Sequence, residues 1–129
     1  MEKIFTENAP KAAGPYSQAV KVGDFLFVSG QVAIDPKTNS LIEGRSIEDQ
    51  AKRVLENIKA IVIDSGFLLK DVVKCEIFLT NMDDFSKVNE IYADYFDSDT
   101  LPARQCVEVS ALPLGVNIEI SCIVSINNK

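Results

Sequence analysis

Two neighbouring stretches carry the residues best suited to chemistry. Arg104, Cys106 and Glu108 alternate along one β-prone run, and Asn117, Glu119 and Ser121 alternate along the next. A period of two puts each trio on one face of its strand. Arginine grips a carboxylate through two parallel hydrogen bonds, while a nearby glutamate can hold or deprotonate a water. Together they suit hydrolysis of a small carboxylate-bearing substrate without a metal or cofactor. The two runs read as an antiparallel hairpin, whose register decides whether the trios meet. Opposed residue numbers with an odd sum, such as Cys106 with Glu119, bring Arg104 and Glu119 to one face. An even sum separates them, and the sequence leaves both registers open. The plain alternative is a surface ion pair, worth at most about 1 kcal/mol.

Composition narrows the chemistry. The chain has no histidine, so neither a Ser-His-Asp nor a Cys-His arrangement can be built within it. Cys106 therefore lacks the usual activator of a thiol and reads as a small apolar strand residue. Cys75, Cys106 and Cys122 form no CxxC pair and lack the spacing of a zinc site. An odd cysteine count, with no apolar leader or arginine-rich amphipathic start in MEKIFTENAPKAAGPYSQ, points to reduced thiols and a cytoplasmic location. Apolar runs are too short to span a membrane. A net charge of −6 repels a phosphate backbone, and no glycine-rich loop offers a phosphate cradle, so neither nucleic acid nor nucleotide is expected as a partner.

The elements that must position these residues read as one domain over 1–129. Residues 19–32 form a hairpin about Gly23-Asp24, and 34–45 are rich in turn residues. The stretch 46–66 is a helix: Ser46 caps it, Ile47, Ala51, Val54, Leu55, Ile58, Ile61 and Val62 form its apolar stripe, and Gly66 stops it. An alternating strand follows at 72–80. A second helix over 82–96 is capped near Asp83 and carries Phe85, Val88, Tyr92 and Phe96 in a stripe. Strands at about 104–109 and 117–126 complete the chain, with a further short one near Ile4-Phe5. This order predicts an α+β fold, one mixed sheet with two helices on one face. Ile123 and Phe78 point away from the main apolar rows, so the other face also needs cover, which suggests a second subunit.

Three further positions are candidates on residue type. Tyr16 follows a Gly-Pro turn, Gly30 ends the FLFVSG strand, and Asn89 interrupts the second helix beside its apolar stripe, where its propensity is poor.

The segments GPYSQAV, FVSGQ, VLENIKAI, DDFSKVNEIYADYF, PARQCVEVSALPLG and IEISCI, in this order, closely resemble the RidA/YjgF family of reactive-intermediate deaminases. The resemblance runs from about residue 13 to 124, and the PARxxVxV, LPxG and EI block is its most specific part. It implies a chorismate-mutase-like fold of order ββ(β)αβαββ, assembled as a homotrimer with sites between subunits. It implies cofactor-free hydrolysis of 2-iminopropanoate and 2-iminobutanoate, formed from enamines released by dehydratases, to 2-keto acids and ammonia. Carried over by position, Arg104 clamps the substrate carboxylate and Glu119 positions or activates water. Tyr16, Gly30, Asn89 and Cys106 line the substrate. One departure is KTNS at 37–40, where many relatives have glycine after the threonine. The rival readings are a trimer that binds 2-keto acids without turnover, or a chaperone-like or RNA-cleaving protein.

Overall fold

Where the apolar residues fall determines the architecture, which a computed structural model describes for residues 1–126. Ten elements are set in chain order: strands β1 (Glu2–Ile4), β2 (Ala19–Val22), β3 (Phe25–Gln31), β4 (Ile34–Asp35) and β5 (Ser40–Leu41), helix α1 (Ile47–Asp64), strand β6 (Val72–Leu79), helix α2 (Phe85–Tyr95), and strands β7 (Ala103–Glu108) and β8 (Ile118–Ser125). Six strands form one sheet in the order β1-β2-β3-β8-β6-β7, with both helices on one face.

Helix α1 forms where its stripe predicts. The Asp49 amide donates to the Ser46 hydroxyl at 3.0 Å, and Gly66 adopts φ 93° after the last turn, a left-handed conformation that glycine enters without a Cβ penalty. All seven stripe residues are buried, packed against Leu26 and Val28 of β3 and Ile118, Ile120 and Val124 of β8. The hairpin over 19–32 forms with Gly23 at φ 56° in its turn. Asn39 of KTNS stands at φ 55°, and its side chain accepts the Lys11 amide at 3.0 Å. Asparagine tolerates this left-handed position better than most residues, which explains why it can replace glycine there.

Three expectations need correction. The two final strands do not form a hairpin. Strand β8 lies between β3 and β6, antiparallel to both, and β7 pairs parallel to β6 at the sheet edge. Helix α2 is the crossover that returns the chain parallel to β6, as a βαβ unit does. Residues 109–117 then carry the chain over β6, a span of roughly 10 Å or two strand spacings. The fully apolar row of β8 earns it a central place. Second, α2 begins later than expected: Met82–Asp84 form a 3₁₀ turn, capped by the Asn81 side chain accepting from the Asp83 amide at 2.9 Å. Third, the turn-rich segment 34–45 contains the small β4–β5 ladder.

Among the described residues no helix covers the sheet's second face. Val22, Phe25, Phe27 and Val107 are each at least 40% exposed on it. Among the described residues no helix is long and apolar enough to cross a membrane.

Candidate active site

The topology divides the candidate residues between the two faces of the sheet. Across the ladders Arg104 stands opposite Cys75, itself opposite Cys122, and Cys106 stands opposite Ile77. These neighbours face the helices, so Arg104, Cys106 and Glu108 do too. Glu119 stands opposite Phe78, which stands opposite Val107, on the uncovered face. Within one chain Arg104 and Glu119 therefore lie on opposite faces with β6 between their strands. Neither hairpin register applies.

Arg104 is half-buried at the edge strand beside α2. Among the described residues its guanidinium has no carboxylate or hydrogen-bond partner. Its Cζ lies 5.0 Å from the Tyr92 ring centroid and 5.5 Å from that of Phe85. Asn89 lies between those two aromatics on the same helical face. Among the described residues its Oδ1 is buried without a hydrogen-bond partner, and the buried Tyr92 hydroxyl has only the Cys75 thiol beside it. Burial raises the Cys106 thiol pKa despite the opposing field of Arg104. Burial likewise pushes Cys75 up to about 11. These are neutral thiols, which agrees with Cys106 shaping the site rather than attacking as a thiolate.

The second group surrounds Glu119. A cavity of about 550 Å³ is lined by Tyr16, Gly30, Val32, Pro113, Leu114 and Glu119, among others. Glu119 is its only charged wall among the described residues, and burial raises the carboxyl pKa above the ordinary glutamate value. Gly30 sits in an irregularity of the β3–β8 ladder. A Cβ there would come within 2.7 Å of Glu119 Cδ and closer still to Oε2. Glycine is needed at this position for space rather than for an unusual φ. Tyr16 is held over the cavity by its own loop, its hydroxyl accepting the Ala13 amide at 3.2 Å.

The structure thus gathers Tyr16, Gly30 and Glu119 in one place and Arg104, Cys106 and Asn89 in another. Sequence reasoning missed the roles of Phe85 and Tyr92 beside Arg104, having assigned both to the helix stripe. Their spacing with Asn89, i, i+4 and i+7, was the available signal. It also missed Leu114, which lines the Glu119 cavity at φ 61°, and nothing in its type announces that conformation.

Comparisons with known proteins establish the family and the fold. The family described as Endoribonuclease L-PSP matches residues 6–126. A RutC family protein of Pyrococcus horikoshii is 57% identical over 122 residues, 95% of each chain. A Thermotoga maritima structure described as an endoribonuclease candidate superposes with a TM-score of 0.94 at 52% identity, covering 99% of both chains. The Escherichia coli protein TdcF, described as a candidate reactive intermediate deaminase, is 42% identical over 126 residues, 95% of this chain and 96% of its own. Its serine-bound structure superposes with a TM-score of 0.92, covering 98% of this chain and all of that one. With family model, sequence and fold in agreement along nearly its whole length, the chain belongs to the RidA/YjgF family, which includes reactive intermediate deaminases.

Proposed function

We propose that the protein hydrolyses small reactive 2-imino acids, 2-iminopropanoate and 2-iminobutanoate, to 2-keto acids and ammonia. The sites lie between copies of the chain in a homotrimer, with Arg104, Asn89 and Cys106 from one subunit and Tyr16, Gly30 and Glu119 from its neighbour. The observation that carries this reading is the half-buried Arg104, which has no anionic partner among the described residues. A guanidinium partly withdrawn from water is stabilised by a carboxylate, and its fork fits one bidentately. Serine bound to TdcF has such a carboxylate. The uncovered apolar face bearing Glu119 provides a surface for a second copy.

The chemistry asks little of the protein. Arg104 fixes the carboxylate and so presents the adjacent C=N carbon. Glu119, ionised, accepts a proton from a water that attacks that carbon and forms a carbinolamine. Glu119 then returns the proton to nitrogen. Glu119 next takes the carbinolamine hydroxyl proton and passes it to the amine nitrogen, so the C–N bond breaks as the C=O bond forms and ammonia leaves. Its raised pKa makes Glu119 a better base than an exposed carboxylate, and positioning supplies much of the remaining acceleration.

The test is to generate the enamine with a pyridoxal-phosphate-dependent dehydratase and follow 2-keto acid or ammonia release. Acceleration over buffer supports the reading, while an assembled protein giving none sinks it. Glu119 separates this reading from a 2-keto-acid binder without turnover, which gains nothing from an acid beside the anion. RNA cleavage has the family's description behind it, but the net charge of −6 works against RNA binding.

A further inference from the structure

A charged side chain withdrawn from water usually needs a partner. Arg104 has no acid among the described residues, yet its guanidinium sits within cation–π range of two rings, about 6 Å from the centroid. Tyr92 is a firm platform. It is 5% exposed, and its ring packs on Phe96 with centroids 4.6 Å apart. Phe85 lies two turns earlier on α2, on the same helical face.

The physical difference between the two ways of holding an arginine matters here. An acid occupies the N–H fork through which a guanidinium recognises a carboxylate. Aromatic faces attract the cation through the ring quadrupole and leave the fork free. We infer that Phe85 and Tyr92 are positioning residues, an aromatic seat on α2 that aims the Arg104 fork at the substrate carboxylate without consuming it. This rests on the reading of Arg104 as the carboxylate clamp. A carboxylate is held alike before and during attack on the neighbouring carbon, so the seat acts on substrate affinity more than on turnover.

The test uses the full chain with Phe85→Leu, Tyr92→Leu and the ring-conserving Tyr92→Phe. Each is made alone and combined with Arg104→Lys, and folding is checked by thermal unfolding. Binding of 2-ketobutanoate is measured by NMR titration and imine hydrolysis by ammonia release. Each leucine variant is expected to weaken 2-ketobutanoate binding about tenfold and to raise KM similarly, with kcat within about twofold. Tyr92→Phe is expected to restore affinity. In the Arg104→Lys background the leucine substitutions should add less than about twofold, because the planar group they orient is gone. A merely structural role would weaken binding equally in both backgrounds. That result, or leucine variants that bind like the wild type, overturns the inference. Should wild type bind 2-ketobutanoate but hydrolyse no imine, the enzyme reading falls and the binding measurements still decide the seat. Should it not bind at all, the clamp and its seat fall together.

Discussion

Arg104 has two neighbouring rings and no acid among the described residues, so its replacement by lysine is informative: charge is kept and the planar fork is lost. Arg104→Lys is expected to lose at least about tenfold in kcat/KM for imine hydrolysis, with its unfolding temperature unchanged. Near wild-type turnover would remove the clamp from the mechanism. Gly30 makes a different demand. A methyl group there collides with the Glu119 carboxylate, so Gly30→Ala is expected to displace the group proposed to activate water. Misplacement on the ångström scale costs about 100-fold, read as kcat in the same assay. Glu119 also sets a pH dependence. Burial raises its pKa above 4.5, so its ionised, active form is lost at a higher pH than for an exposed glutamate. The acid limb of kcat/KM is expected above 4.5 and absent from Glu119→Gln, whose residual rate is flat across that range. The sign for stability is opposite. The folded state holds this proton more tightly than the unfolded chain, so stability falls as pH rises from the ordinary to the raised pKa.

Elements that depend on their own residues were legible, and those that depend on distant partners were not. Helix α1 could be placed from its stripe, cap and stop because all three lie within twenty-one residues. The alternation matched the faces of β8 and of β6 from Cys75 onward, but at the start of β6 the ladder shifts register between Val72 and Lys74, so Val73, expected on the face of Cys75, is exposed and Val72 is buried instead. The neighbours of β7 and β8 were misjudged because adjacency in sequence suggested a hairpin, whereas β6 forms a ladder with each of them. Period-two reasoning identified Arg104 and Glu119 but could not say that different faces of the sheet present them. One buried amide stabilises the β8 entrance. Gln50 of α1, 1% exposed, accepts from the Asn117 amide at 2.9 Å and donates to Asn117 Oδ1 at 3.0 Å and to the Arg45 carbonyl at 3.1 Å. Gln50→Ala strands these groups and is expected to cost about 1–3 kcal/mol, measured by urea unfolding.

At the scale of the whole molecule, the division between the two faces is the governing feature. The apolar second face hinted in the sequence at a partner, and the structure shows it exposed beside Glu119. The symmetry of any assembly is not a property one chain's pattern encodes. Shared sites can be tested by complementation. Arg104→Ala and Glu119→Gln chains are each expected to keep only a small residual rate alone, but mixing them by co-refolding is expected to restore roughly one quarter of wild-type activity, since random pairing joins intact halves at that frequency. No recovery in confirmed mixed assemblies would mean that each site draws on a single chain. A site divided in this way exists only while subunits are joined, so catalytic output per chain becomes a function of protein concentration. For such a shared site, dilution below the dissociation constant would switch the chemistry off, and substrate bridging two subunits would oppose that loss by mass action.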